Sequence, residues 1–125
     1  EITQNRKDYY IGLAHFYRGF TYFRIAQKWG EAPLQTDSRD ISKKTKSSVA
    51  DILQFALDET NLAIIKALRN GRASFRDIAA DLGLSEVTVR TRAARLIEDG
   101  VLDICGQVDV EKLPGHTLAL VAIKL

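Results

Sequence analysis

The chain has 125 residues, 46% hydrophobic and 27% charged. That balance excludes a disordered chain and fits one ordinary domain or two small ones. A formal net charge of only +2 excludes binding through a global positive field, and the single cysteine, Cys105, excludes an intrachain disulfide and favours a reducing compartment.

No apolar run approaches the ~20 residues of a membrane span, and the polar start EITQNRKDYY gives no expectation of a signal peptide. From Asn5 to Gly30 the run NRKDYYIGLAHFYRGFTYFRIAQKWG predicts a long helix. Leu13, Phe16, Phe20 and Phe23 recur at helical spacing with Tyr17 beside them, which predicts an aromatic core stripe. The sharper alternative is sugar stacking on a tyrosine or on Trp29. His15 lies among apolar neighbours without a second histidine at ligand spacing, so a structural role is expected and no metal. Gly30 and Pro33 end the helix. The segment QTDSRDISKKTKSS reads as a mobile polar linker. Val49, Ile52, Leu53 and Ala56 then open a second helix, with Ser47 or Ser48 as its cap.

FYRGFTYFRIAQKWGEAPL followed by SSVADILQFALDE resembles the SusD/RagB family of outer-membrane glycan-capture lipoproteins, over roughly residues 5–59. The resemblance implies a glycan partner and an outer-membrane or cell-surface location. The glycan surface of that family is assembled from distant segments, which a helical hairpin does not recreate. Such a hairpin is also too small to bury its aromatics alone. It must pack on the rest of the chain, self-associate, or remain partly molten.

In LDETNLAIIKALRNG, Asp58 reads as a helix N-cap with Glu59 in the first turn. Leu62, Ile65 and Leu68, broadened by Ile64, form its apolar stripe, and Asn70-Gly71 is the stop. Ser74 and Asp77 match a capping box for the next helix, whose inner face is Ile78, Ala79 and Leu82. Gly83 supplies a tight corner, and Leu84 plugs the core beneath it. Ser85 caps the third helix of this C-terminal segment, over 85–99. Val89, Ala93 and Leu96 fall on its inner side. Val87, Thr88, Arg90, Thr91, Ala94 and Arg95 fall on the outer side, and Arg92 lies on the flank, against an acidic partner or a nucleic-acid backbone.

Two short helices around a Gly-Leu-Ser corner are the layout of a helix-turn-helix, which sets its second helix in the DNA major groove. Arginine reads guanine edges and grips phosphates, and threonine contacts phosphates or a thymine methyl. The candidate DNA contacts are Ser85, Thr88, Arg90, Thr91, Arg92 and Arg95. The bland alternative is a small bundle with solvated arginines. The run VLDICGQVDV then alternates like a strand, with Cys105 as a buried or half-buried thiol. EKLPG makes a turn, and HTLALVAIKL, opened by a structural His116, reads as a terminal strand and an aggregation liability. The expected fold is mainly α with a small β component: an N-terminal helical hairpin, a winged helix-turn-helix and a terminal β-strand.

From Leu57 onward the chain resembles the leucine-responsive regulator (Lrp/AsnC) family of transcription regulators. The residues that carry this are LDETNLAIIKALRNGRAS, DIAADLGLSEVTVRTRAARLIEDGVL, VDVEKLPG and HTLALVAIKL, with Asn61 where the family commonly has an aspartate. The resemblance implies a DNA-reading domain joined to a sensing and dimerising α/β domain, here reaching only its first strand, so amino-acid sensing is not carried over. The implied division is 1–57, a SusD/RagB-like helical segment; 58–112, a winged helix-turn-helix; and 113–125, the first strand of the sensing domain. Two resemblances of such different kinds also suggest a composite chain joined near residues 54–62, where LQFALDETNLAII satisfies both patterns and can run as one continuous helix across the seam.

The expected function is sequence-specific binding of double-stranded DNA in the cytoplasm, as a regulator. A monomer would read one half-site weakly, and a homo-oligomer would read two. The alternative is a glycan-binding fragment or a non-functional composite. No phosphate-binding glycine loop, zinc cluster or nucleophile–base pair stands in the sequence, so neither an enzyme nor a cofactor is expected.

Overall fold

A computed structural model describes residues 3–69 and 73–106, together with Lys112 and Gly115. Four helices follow one another: α1 (Gln4–Trp29), α2 (Val49–Leu68), α3 (Phe75–Leu82) and α4 (Glu86–Glu98). No strand occurs among the described residues.

The alternation in VLDICGQVDV predicted a strand from residue 101. The described part, residues 101–106, has no ladder partner and runs as irregular chain. Its first two amide groups are spent on the end of α4 instead: Val101 N–H and Leu102 N–H both donate to the Leu96 carbonyl at 2.9 Å. Cys105, expected buried or half-buried, is exposed there. The rest of that strand, most of the EKLPG turn, His116, the strand HTLALVAIKL and the Asn70-Gly71 stop lie outside the described residues.

α1 and α2 run antiparallel, and small residues let them approach closely. Gly12, Gly19 and Ala26 are buried seven residues apart on α1, a spacing that keeps them on one face. Gly12 meets Ala63 and Gly19 meets Ala56, two alanines also seven apart and buried on α2. A Cβ on Gly19 would stand 2.8 Å from the Glu59 Cβ and 2.9 Å from the Ala56 carbonyl oxygen. The interhelical face of α1 is therefore this small-residue line, and the expected aromatic stripe is displaced to its flank. Phe16 is buried and Leu13 packs against the core, while Phe20 and Phe23 are exposed. They border an apolar groove of about 330 Å³ with Gly19, Leu53, Leu57 and Leu84.

Polar groups complete the helix pair. Glu59 is 4% exposed; Arg18 donates to its two oxygens, from Nε at 2.6 Å and from Nη2 at 2.9 Å. His15 Nδ1 lies 3.1 Å from the same carboxylate. Burial pushes the Glu59 carboxyl up, but the Arg18 and His15 hydrogen bonds and the adjacent positive charge overcome this and hold it below its ordinary value. At the other end Lys66 donates to Asp8 at 3.0 Å and lowers that carboxyl too.

Two helices were expected here, one opened by Val49 under a Ser47 or Ser48 cap and one opened by an Asp58 cap. They are a single helix that starts at the Ser48 cap, ten residues before Asp58, where Ser48 Oγ accepts from Asp51 N–H at 3.1 Å. Asp58 is an interior residue that accepts from Gln54 Nε2 at 2.9 Å. The 57/58 boundary and the suggested join thus fall inside one unbroken helix. Its buried face is also turned from the expected one. Ala63 and Ile64 are buried, Ile65 and Leu68 are half-buried, and Leu62 is exposed. The cause is that α2 is covered from two directions, by α1 beside Ala63 and by the C-terminal helices beside Ile64. Phe16, Ala63, Ile64, Ile78, Ala79, Leu82 and Val89 form one core.

The linker expected to be mobile carries specific contacts. Ala32 and Ser47 form an isolated antiparallel bridge, Tyr22 Oη accepts from Gln35 N–H at 2.7 Å, and Lys44 pairs with Asp40. Asn61 buries its Oδ1 without a hydrogen-bond partner among the described residues.

Candidate nucleic-acid interface

The α3–α4 unit is built from local signals that the sequence states openly. Ser74 Oγ accepts from Asp77 N–H at 3.1 Å, and Asp77 Oδ2 accepts from Ser74 N–H at 3.3 Å, which completes the capping box. The Ser74 bonds hold the Asp77 carboxyl below its ordinary value. Gly83 ends α3 at φ 63°, ψ 30°, the left-handed conformation that a Cβ disfavours. Leu84 N–H then reaches back to the Ala79 carbonyl at 2.9 Å, and the Leu84 side chain packs on the core. One residue later Ser85 Oγ accepts from Thr88 N–H at 3.1 Å and opens α4.

Val89, Ala93 and Leu96 are buried, so the inner side of α4 is the expected one. Among the candidate contacts, Ser85, Thr88, Arg90, Thr91 and Arg95 are exposed, and Arg92 is half-buried on the flank. Ser85 and Thr88 share a 2.7 Å hydroxyl hydrogen bond at the start of the helix. Thr91 and Arg95 lie on the outward side with Val87 and Ala94. Neither Arg92 nor Arg95 forms an ion pair among the described residues. The unit as a whole is not basic: residues 73–106 hold six acidic and four basic side chains. Three of those four cations are on α4, so its surface is where positive charge gathers.

Arg90 is the arginine with a defined pose. Its Nη2 donates to Glu86 Oε1 at 2.6 Å, and its guanidinium carbon stands 5.3 Å from the centre of the Phe75 ring. The i,i+4 spacing of Glu86 and Arg90 is legible as a helical pair. The Phe75 contact is not, because it crosses from the first turn of α3.

The residues that carry the N-terminal resemblance have other surroundings. Arg18 pairs with Glu59, Gly19 sits on Ala56, and Tyr22 Oη donates to the Gln35 carbonyl at 3.2 Å. Trp29 is 67% exposed, with Lys28 Nζ 4.8 Å above its ring. Among the described residues no group of His, Cys, Asp and Glu is placed to hold a metal ion, and no described helix is long and apolar enough to cross a membrane.

Residues 57–97 match the family model of the AsnC-type helix-turn-helix domain. Among curated proteins, the HTH-type transcriptional regulator Ptr1 of Methanocaldococcus jannaschii is 49% identical over 47 residues, which cover 37% of this chain and 32% of that protein. The HTH-type transcriptional regulator FL11 of Pyrococcus horikoshii is 36% identical over 75 residues, 58% of this chain and 50% of its own length. The chain thus spans a third to a half of these relatives. No solved structure matches. The chain is therefore similar, from Leu57 to Ile97, to the AsnC-type helix-turn-helix, and α2, α3 and α4 supply its three helices.

Proposed function

We propose that this chain binds double-stranded DNA as a transcription regulator of Lrp/AsnC type, with α4 in the major groove. One observation carries the reading. α4 buries Val89, Ala93 and Leu96 and turns small residues, threonines and arginines to solvent, at a corner fixed by Gly83 and two serine caps. Close approach needs the small residues Thr91 and Ala94. Thr88 and Thr91 offer hydroxyls, and Arg95 has no competing carboxylate among the described residues. The start of α4 is the positive end of its helix dipole, a setting that favours a phosphate. Arg92, on the flank, suits a phosphate contact better than a base contact. A second copy of the chain would supply the second half-site, and the working location is the cytoplasm.

Binding of the purified chain to random duplex DNA across a salt series tests this, with oligomeric state read from size exclusion on the same sample. Arg95→Ala is expected to weaken binding and to lower the slope of log affinity against log salt by about 1 if Arg95 meets a phosphate. If it reads a base, the variant instead relaxes preference at one position. Unchanged affinity, slope and preference would remove α4 from the interface.

A further inference from the structure

The Glu86–Arg90 pair looks at first like an ordinary exposed helix pair, worth a few tenths of a kcal/mol. Three features set it apart. It lies in the first turns of α4, on the surface proposed above to enter the groove. Its arginine is held at a second point, over the Phe75 ring at 5.3 Å, so the guanidinium is fixed from α4 by a carboxylate and from α3 by an aromatic face. And Glu86 is an acidic residue placed where a polyanion is expected to approach, which lowers affinity for any DNA regardless of sequence.

The first two features constrain the guanidinium. An unrestrained arginine adapts to whichever phosphate is near. One anchored through Nη2 and drawn to a ring face at 5.3 Å is biased toward one reach before the duplex arrives, even with its side chain 62% exposed. Preset geometry suits bidentate recognition of a base edge, which requires two donors in one plane. The third feature adds an exclusion: Glu86 occupies one of the five Arg90 donors and sets a negative charge beside the guanidinium, which disfavours a phosphate there. Both effects trade general affinity for selectivity.

We propose that Glu86 and Phe75 are positioning residues for Arg90, holding its guanidinium in one orientation so that it selects a base pair rather than gripping the DNA backbone. This inference rests on the DNA-reading function proposed above. Glu86 carries the electrostatic half of the device and Phe75 the stacking half.

The experiment is selection from a randomised duplex library by the 125-residue chain, followed by competition between the selected duplex and random duplex. Wild type, Glu86→Gln and Phe75→Leu are compared. The glutamine keeps the size and one acceptor but loses the charge, and the leucine keeps the apolar packing but loses the ring face. Glu86→Gln is expected to bind random duplex more tightly while its ratio of specific to random affinity falls by about tenfold, concentrated at one or two adjacent base pairs. Phe75→Leu is expected to relax the same positions. A merely structural pair would lower melting temperature and weaken all sequences alike. That outcome, or an unaltered base preference in Glu86→Gln, overturns the positioning role and leaves DNA binding standing. A wild-type chain that binds no duplex at any salt concentration overturns the DNA reading itself, and the positioning role with it. Circular dichroism of each variant shows that the helices are intact. Should Phe75→Leu unfold, the Glu86→Gln result decides alone.

Discussion

Replacing Gly19 by alanine should destabilise this protein, although alanine is the better helix former. In an exposed helix the change would be favourable by about 1 kcal/mol. Here the new methyl would stand 2.9 Å from the Ala56 carbonyl oxygen and 2.8 Å from the Glu59 Cβ, both fixed to the α2 backbone. A carbon needs roughly half an ångström more than this to rest against such atoms. α1 and α2 must therefore separate, and Glu59 anchors the Arg18 and His15 bonds at that same level. Overpacking of this kind costs about 1–3 kcal/mol, and loosening of the Glu59 bonds adds to it. The net expectation is a loss of about 1–2 kcal/mol, or about 4–8 °C in melting temperature for a domain of this size. Gly12→Ala is the internal control. Its methyl would meet the Lys66 Cβ at 3.2 Å and the Ala63 carbonyl oxygen at 3.4 Å, contacts that a small shift relieves, so that variant should be close to neutral. Urea and thermal unfolding of the two variants measure the difference. Gly19→Ala as stable as wild type, or less harmful than Gly12→Ala, would refute the close-packed α1–α2 interface.

The buried carboxylate makes stability depend on acid. Glu59 ionises below its ordinary value of 4.5 in the folded chain, so its contribution is complete above that pH and fades as pH falls through the lower folded value. Melting temperature should drop below about pH 4.5 in wild type and drop less steeply in Glu59→Gln; parallel curves would deny Glu59 this part. Arg18→Ala leaves the carboxylate to His15. Breaking a fully buried pair costs about 3–5 kcal/mol, and the partial exposure of Arg18 brings the expected loss to about 2 kcal/mol at neutral pH. Gly83 has open space around it but a φ of 63°, so Gly83→Ala should cost about 1 kcal/mol through the backbone alone, and Gly83→Asn less. An equal cost for both would mean that the corner does not need the left-handed conformation.

The C-terminal helices were readable from residues close in sequence. Ser74 with Asp77, Gly83, and Ser85 act within one turn of where they stand, and the inner side of α4 repeats at helical spacing. The N-terminal half was harder because its decisive partners are distant in sequence. Leu13, Phe16, Phe20 and Phe23 do share a face, but hydrophobic size suggested the wrong line of contact. Gly12, Gly19 and Ala26 have almost no side chain to count in a periodicity, yet they permit the close approach. Nothing near Glu59 in sequence announces Arg18, 41 residues away. The Asp58 cap failed for the opposite reason. A competent local signal stood in the middle of a helix already begun at Ser48, where no free N–H groups remained for it to cap. The Phe75–Arg90 contact falls between the two cases, since its residues belong to adjacent helices but only the corner geometry brings them together.

α2 serves two structures at once. Its Ala56 and Ala63 face completes the pair with α1, while Ile64 joins the core that holds α3 and α4. Helix formation is cooperative, so a single uninterrupted helix does not readily keep one face ordered and release the other. α1 is thereby tied to the α3–α4 unit through a shared element, with Phe16 reaching the same core as Val89. Local opening then has no natural dividing line at the middle of the chain, and protection against hydrogen exchange in α1 and in α4 draws on one common free energy.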